Sequence, residues 1–162
     1  MKNIIIKNLL SVAIATTLFF SCGQTNRDRE IKKDIASKAK TDINFAAVNY
    51  TVEDGIVKLE GVCPTPAARD QVLKAIKSIR VIDSVESAIE VAPITINDRY
   101  PLKISIDSVL ATYPAVRGEV TDNSIVLSGK VAQDELESLL GAVQKLRGGI
   151  VINEMETFRE KR

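Results

Sequence analysis

Apolar residues recur along this chain with two periods, and the periods alternate in a fixed order. Ile31, Ile35 and Ala39 are spaced i, i+4, i+8, which predicts a helix from about Arg29 to Lys40. Val48, Tyr50 and Val52 then alternate with polar residues, as one face of a strand does. Glu53-Asp54-Gly55 is a turn signal, and beyond it Val57, Leu59 and Cys63 point inward while Lys58 and Glu60 point out. Thr65 followed by Pro66 predicts an N-cap and first position of a second helix, whose apolar stripe is Val72, Leu73, Ile76 and Ile79. A last strand alternates Val85, Ser87, Ile89 and Val91 with Glu86, Ala88 and Glu90.

The same order then returns. Val57-Lys58-Leu59-Glu60-Gly61-Val62-Cys63 matches Ile125-Val126-Leu127-Ser128-Gly129-Lys130-Val131, an offset of 129 − 61 = 68. Asp54-Gly55 matches Asp122-Asn123 at that offset, and both pairs suit turns because Gly and Asn tolerate positive φ. Val85, Ser87, Ile89 and Val91 match Val151, Asn153, Met155 and Thr157 at 151 − 85 = 66. The second unit opens with a helix near Asp98, Pro101 early in it, with Leu102, Ile106, Val109, Leu110 and Tyr113 on one side. Strands follow around Val116–Val120 and Ile125–Val131. Asp134 with Glu137 resembles a capping box for a helix carrying Leu136, Leu139, Leu140, Val143 and Leu146, ended by Gly148-Gly149. Ala92 to Asn97 is the linker. The expected fold is α+β: two tandem αββαβ units, residues 29–92 and 97–158. Each is a three-stranded mixed sheet with two helices on one face, its last two strands parallel because a helix crosses between them.

The N-terminal segment reads differently. Lys2 and Lys7 precede an apolar run, Leu9 to Phe20, too short to span a bilayer, which needs roughly 20 apolar residues. The run ends in Leu18-Phe19-Phe20-Ser21-Cys22, which resembles a lipobox with Phe19 in place of the usual Leu. The expectation is a lipoprotein signal peptide over residues 1–21, acylation of Cys22, and a polar tether over residues 22–28.

This lipobox, the helix-first αββαβ unit and the run Asp54-Gly55-Ile56-Val57-Lys58-Leu59-Glu60-Gly61 together resemble the BON domain, named for bacterial OsmY and nodulation proteins. The first unit is the closer match; the second has Asn123-Ser124 where the family usually has Gly. The resemblance implies a non-enzymatic module associated with phospholipid binding and envelope integrity under stress, on a lipid-anchored protein of the outer membrane facing the periplasm. It brings no catalytic residues and no cofactor; Gly55, Gly61 and Gly129 match its motif as backbone geometry.

Composition and charge narrow the chemistry. There is no His and no Trp, which removes the commonest general base and metal ligand and the best interfacial anchor. Without Lys2 and Lys7 the chain carries 22 − 2 = 20 basic against 21 acidic residues, a balance that gives nucleic acid no electrostatic hold. Cys63-Pro64-Thr65-Pro66-Ala67-Ala68-Arg69 has the Cys-x5-Arg spacing of a phosphatase loop. However, Pro64 and Pro66 delete two of the N–H groups such a loop needs, and the repeat equates Cys63 with Val131. Cys63 is therefore expected to be a small core residue, and the chain not to be an enzyme. Lys74 and Lys77 lie away from the apolar stripe of their helix and Arg80 at its flank, making them the candidate contacts for anionic headgroups. Lys32, Lys33, Lys38 and Lys40 are offset by Glu30, Asp34 and Asp42, and Asp134, Glu135 and Glu137 suit the positive end of a helix dipole. Two functions follow: binding of phospholipid or envelope surface, or interaction with another envelope protein, adaptor-like or chaperone-like, for which exposed strand edges are suited.

Overall fold

Alternating Val, Tyr and Leu positions build two sheets, and the i, i+4 stripes lay helices across one face of each. The computed structural model describes residues 21–146 and 148–159. In the first unit, α1 (Ser21–Thr41) and a single 3-10 turn (Ile43–Phe45) lead into β1 (Val48–Glu53), β2 (Ile56–Cys63), α2 (Pro66–Lys77) and β3 (Ser84–Val91). The second contains α3 (Tyr100–Leu110), β4 (Val116–Val120), β5 (Ser124–Ala132), α4 (Leu136–Gln144) and β6 (Ile150–Phe158). The sheets have the orders β1-β2-β3 and β4-β5-β6, in each case one antiparallel and one parallel pair, so both are mixed.

The cores follow the expected periodicities. Ile31, Ile35 and Ala39 from α1 and Val72 and Ile76 from α2 close over Val48, Tyr50, Val52, Val57, Leu59 and Cys63, all buried. Full burial of such a side chain contributes roughly 1.5–3 kcal/mol. Thr65 accepts a hydrogen bond from Ala68 N at 3.1 Å and so caps α2, with Pro66 at its first position. In the second unit Ile106, Leu110, Val116, Ile125, Leu127, Val131, Leu139 and Val143 are buried. Among the described residues that core joins eight buried side chains where the core of the first unit joins fifteen, and α3 and α4, at 11 and 9 residues, are shorter than α1 and α2, at 21 and 12.

The repeat is exact in its sharpest backbone feature. Gly61 and Gly129 have φ of 121° and 111°, and a Cβ on either would collide with the carbonyl of Ala47 or Ala115. Those two carbonyls accept from the next amides, Val62 N at 2.9 Å and Lys130 N at 3.0 Å. Ala47 and Ala115 are themselves 115 − 47 = 68 residues apart, so the close approach recurs with the motif.

Several expectations are corrected. Residues 23–28 belong to α1 instead of forming a loose tether: Arg27 donates to Val81 O and pairs with Asp83 at 2.5 Å. Asp28 is buried, its carboxylate accepting from Asp54 N at 2.9 Å and Gly55 N at 2.8 Å. The Asp54-Gly55 turn, with φ of 53° and 76°, is thus held from the helix as well as by its own residues. Its counterpart is of another kind. Asn123 does not take positive φ, and a longer loop is closed by Thr121 and Ser124, Thr121 N donating to Ser124 O at 2.9 Å. The capping box is absent too: Glu135 occupies the N-cap of α4 without a side-chain cap bond, and its carboxylate goes to Arg29. In β3 only Ile89 is buried; Ser87 and Val91 are exposed although they share its face. The expected signal segment lies outside the described residues up to residue 20.

Asp28 is buried and supplies two charge-assisted hydrogen bonds to a half-buried turn, so Asp28→Ala is expected to lower stability by about 2 kcal/mol in urea unfolding. The neighbouring exposed change Asn26→Ala is expected to leave it unchanged.

Candidate functional site

Charge is segregated across the first unit. Exposed Lys33 and Lys40 on α1 and Lys74 and Lys77 on α2 lie on the helical side, against exposed Glu30, Asp34 and Asp70. The helix-free faces of the two sheets carry exposed Glu60, Glu86, Glu90, Glu119, Glu154 and Glu156. Their basic residues are largely engaged: Lys58 with Glu53 at 3.5 Å, Arg117 with Glu60, and Lys130 with Glu53 at 3.7 Å. The helical side of the first unit thus mixes four exposed lysines with three acids, whereas the sheet faces are acidic. Of the expected headgroup contacts, Lys74 and Lys77 stand together one turn apart in the last turn of α2. Arg80 lies beyond the C-cap Ser78, in a hollow whose wall also carries Glu30, Asp34 and Lys38 of α1, and so apart from the pair Lys74 and Lys77.

The seam between the units holds a cluster that periodicity did not reveal. Lys32, expected among the solvated charges of α1, is 1% exposed. Its ammonium donates to Tyr50 O at 2.9 Å in its own unit, and to Pro114 O at 3.2 Å and Val116 O in the other. Three donors meet three carbonyls, and Pro114 O also accepts from Val52 N at 2.9 Å. Aligning the buried stripe of α1 with that of α3 (Ile35 with Ile106) makes Lys103 the counterpart of Lys32, both offset by 71. Both ammonium groups lie beside the Tyr50 ring, 5.1 and 5.8 Å from its centroid. Lys103 instead holds Asp107 through two bonds of 2.8 and 2.7 Å. Burial pushes Lys32 down to about 7, helped by the like charge of Lys103 and opposed by Asp107. Burial likewise raises the Asp107 carboxyl, against the pull of Lys103. Around this centre Arg29 meets Glu135 at 2.7 Å, and Arg117 and Lys130 reach Glu60 and Glu53 from the second unit to the first. A polar cleft of 460 Å³ opens at the seam under the linker, but Glu60 and Arg117 in its wall already neutralise one another.

Cys63 is completely buried, its thiol 3.7 Å from Asn44 O and raised in pKa by burial, so it sits as a core side chain. Arg69, the other half of the phosphatase-like spacing, lies 3.7 Å from Asp70. Cys22 lies in the first turn of α1. A lysine buried by a neighbouring unit has no periodic signature of its own. The one signal available was the shared position of Lys32 and Lys103 one residue after an apolar helix position, followed into the seam by Tyr50.

Removing the Lys32 ammonium should be costly, because three carbonyls lose their donor in a site closed to water: Lys32→Ala is expected to destabilise by about 3 kcal/mol. Its pH signature has a definite sign. In the unfolded chain Lys32 keeps its proton up to 10.5, in the fold only to about 7, so the unfolded state binds more protons between these values. Stability should therefore climb from pH 7 towards pH 10, the contribution being lost as pH falls through about 7. Chemical denaturation at a series of pH values should show this climb in the wild type and a flatter profile in Lys32→Met.

Residues 27–93 match the model of the BON domain family. No curated protein matches. Among solved structures, one match is the C-terminal domain of CdsD, described as the structural protein of the type III secretion system of Chlamydia trachomatis. It is 12% identical, with a TM-score of 0.33, over 82% of this chain and 66% of that one. The chain thus spans just under two thirds of that neighbour, and a likeness of this degree says nothing of function. The αββαβ order, the Asp54-Gly55 turn and the close approach at Gly61 all fall within the family match, and a BON domain occupies residues 27–93, the first of the two units.

Proposed function

We propose that this chain is a lipid-anchored, non-enzymatic envelope protein, acylated at Cys22, whose first unit lays its helical side on anionic phospholipid. The observation that carries the reading is the charge segregation. Lys33, Lys40, Lys74 and Lys77 are exposed on the helical side of the first unit, where Glu30, Asp34 and Asp70 only partly offset them, and six exposed glutamates lie on the sheet faces. An anionic surface attracts the first side and repels the second, so orientation follows from the same charges as affinity. The BON family's association with phospholipid and envelope points the same way. Each basic residue near such a surface supplies about 1 kcal/mol, screened over roughly 8 Å at physiological ionic strength. Such contacts hold a domain only when something keeps it near the membrane, and a lipid on Cys22 does that by raising local concentration. No helix among the described residues is long and apolar enough to cross a membrane, and the exposed basic side lacks Trp. Peripheral contact follows, without insertion.

Two measurements test the reading. Mass spectrometry of the membrane fraction should find a lipid on an N-terminal Cys22, and Cys22→Ala should leave the chain unprocessed or free of the membrane; normal processing of that variant refutes the anchor. The Cys22→Ser form, lacking residues 1–21, should bind vesicles containing phosphatidylglycerol at low salt and weaken as salt rises. Lys74→Glu/Lys77→Glu should bind at least about tenfold more weakly. Equal binding by this variant, or none by the wild type even at low salt, removes the lipid surface from α2.

A further inference from the structure

The second unit leaves its last strand poorly covered. Three of the molecule's exposed large apolar residues, Ile150 (70% exposed), Ile152 (41%) and Phe158 (46%), lie on β6. On its other face Val151 and Met155 are only partly buried against the smaller core. Strand β6 pairs with β5 alone, so among the described residues its outer edge is free. The backbone of that edge can be assigned. Ile150 N donates to Asn123 O at 3.0 Å, and Phe158 O accepts from Gln133 N at 2.9 Å, both on the β5 side. Strand alternation then turns the N–H and C=O groups of Val151, Asn153, Met155 and Thr157 outward. One of these donors has a substitute partner: Met155 N donates to the Asn153 side chain at 3.0 Å. That bond is local and displaceable, as a placeholder on a strand edge should be.

The side chains state what can sit there. Ile150, Ile152, Glu154, Glu156 and Phe158 share the helix-free face, two carboxylates flanked by large apolar groups. Lys130 is in register with Glu156, yet its ammonium points to Glu53, and no ion pair holds Glu154 or Glu156 among the described residues. A second copy is the wrong occupant. Pairing β6 with its own antiparallel twin about Glu154 sets Glu154 against Glu154, and pairing it with β3 of another copy brings Glu86 and Glu90 against Glu154 and Glu156. We infer that the free edge of β6 docks an extended segment of another protein, basic at alternate positions and apolar at the flanks, as a fourth strand of the second sheet. Main-chain bonds to Asn153 and Met155 bind it, and Glu154 and Glu156 choose it. This surface is separate from the basic helical side of the first unit, so a membrane-bound molecule keeps it free.

The test uses the full chain in neutral detergent and a fluorescent peptide the length of β6, with Lys alternating with Val and Ile and an aromatic residue at one end; a second peptide carries Glu in place of Lys. Fluorescence anisotropy should show the lysine peptide binding more tightly by about tenfold, with the preference reversed in Glu154→Lys/Glu156→Lys. Glu86→Lys/Glu90→Lys, on the edge of β3, should leave binding unchanged. Circular dichroism confirms that each variant is folded. Equal binding of the two peptides, no binding of either, or a response to the β3 variant in place of the β6 variant overturns the inference. So does sedimentation showing a wild-type dimer that Glu154→Lys/Glu156→Lys alters, since the edge would then serve self-association.

Discussion

A desolvated ammonium group organises this molecule. Lys32 belongs to the first unit, yet two of its three acceptors, Pro114 O and Val116 O, belong to the second. Taking a charge out of water costs several kcal/mol unless its hydrogen bonds are replaced. Here they are replaced by carbonyls at the junction where β1 meets the segment leading into β4, with Val52 N donating to Pro114 O alongside. The seam therefore covers the outer edge of β1 that a lone three-stranded sheet would present to solvent. The Tyr50 ring lies beside both Lys32 and Lys103, while the equivalent position 68 residues on is Gly118, where a Cβ would press on Ile106 and Leu110. The duplicated units are thus alike in fold and unlike at their junction, one contributing the aromatic ring and the other the carbonyls.

What could be read from the chain beforehand was whatever has a period. Val48, Tyr50 and Val52 and the stripe of α2 depend on residues close in sequence, the parallel pairing on the order of elements and the offset of 68 on a recurring pattern, and each is present in the structure. What could not be read depends on partners far along the chain. Asp28 looked like tether because its role, receiving the amides of Asp54 and Gly55, exists only once the helix lies over the hairpin. Asp134 and Glu137 have the spacing of a capping box, but the competing carboxylate Glu135 takes the cap position and is drawn to Arg29. Lys32 looked like Lys33, its neighbour, because a single residue's step around a helix separates solvent from seam. At the candidate surface, Lys74 and Lys77 were legible as helix-exposed charge. The placement of Arg80 in a hollow walled by α1 was not, since it arises from the packing of one helix against the end of another.

The molecule consequently has two surfaces of opposite character. The first unit carries the larger core and the basic helices. The second has shorter helices over a sheet of the same size, and it leaves apolar side chains and an unpaired edge on β6. The two units thus differ in what they expose: the well-packed one charge on its helices, the thinner one an unpaired strand edge. Exposed glutamates on β3 and β6 fit with this, because acidic strand edges resist pairing between copies.

The carbonyl of Pro114 has a bearing on how the protein must be made. Val52 N–H and the Lys32 ammonium both wait for it, so a ribosome that has released only the first unit has released a chain whose β1 edge is unfinished and whose inward lysine has one acceptor of three. The copies can no longer be parted as two independent modules might be. Loss of the second unit would return the outer edge of β1 to water and leave the Lys32 ammonium with the Tyr50 carbonyl alone.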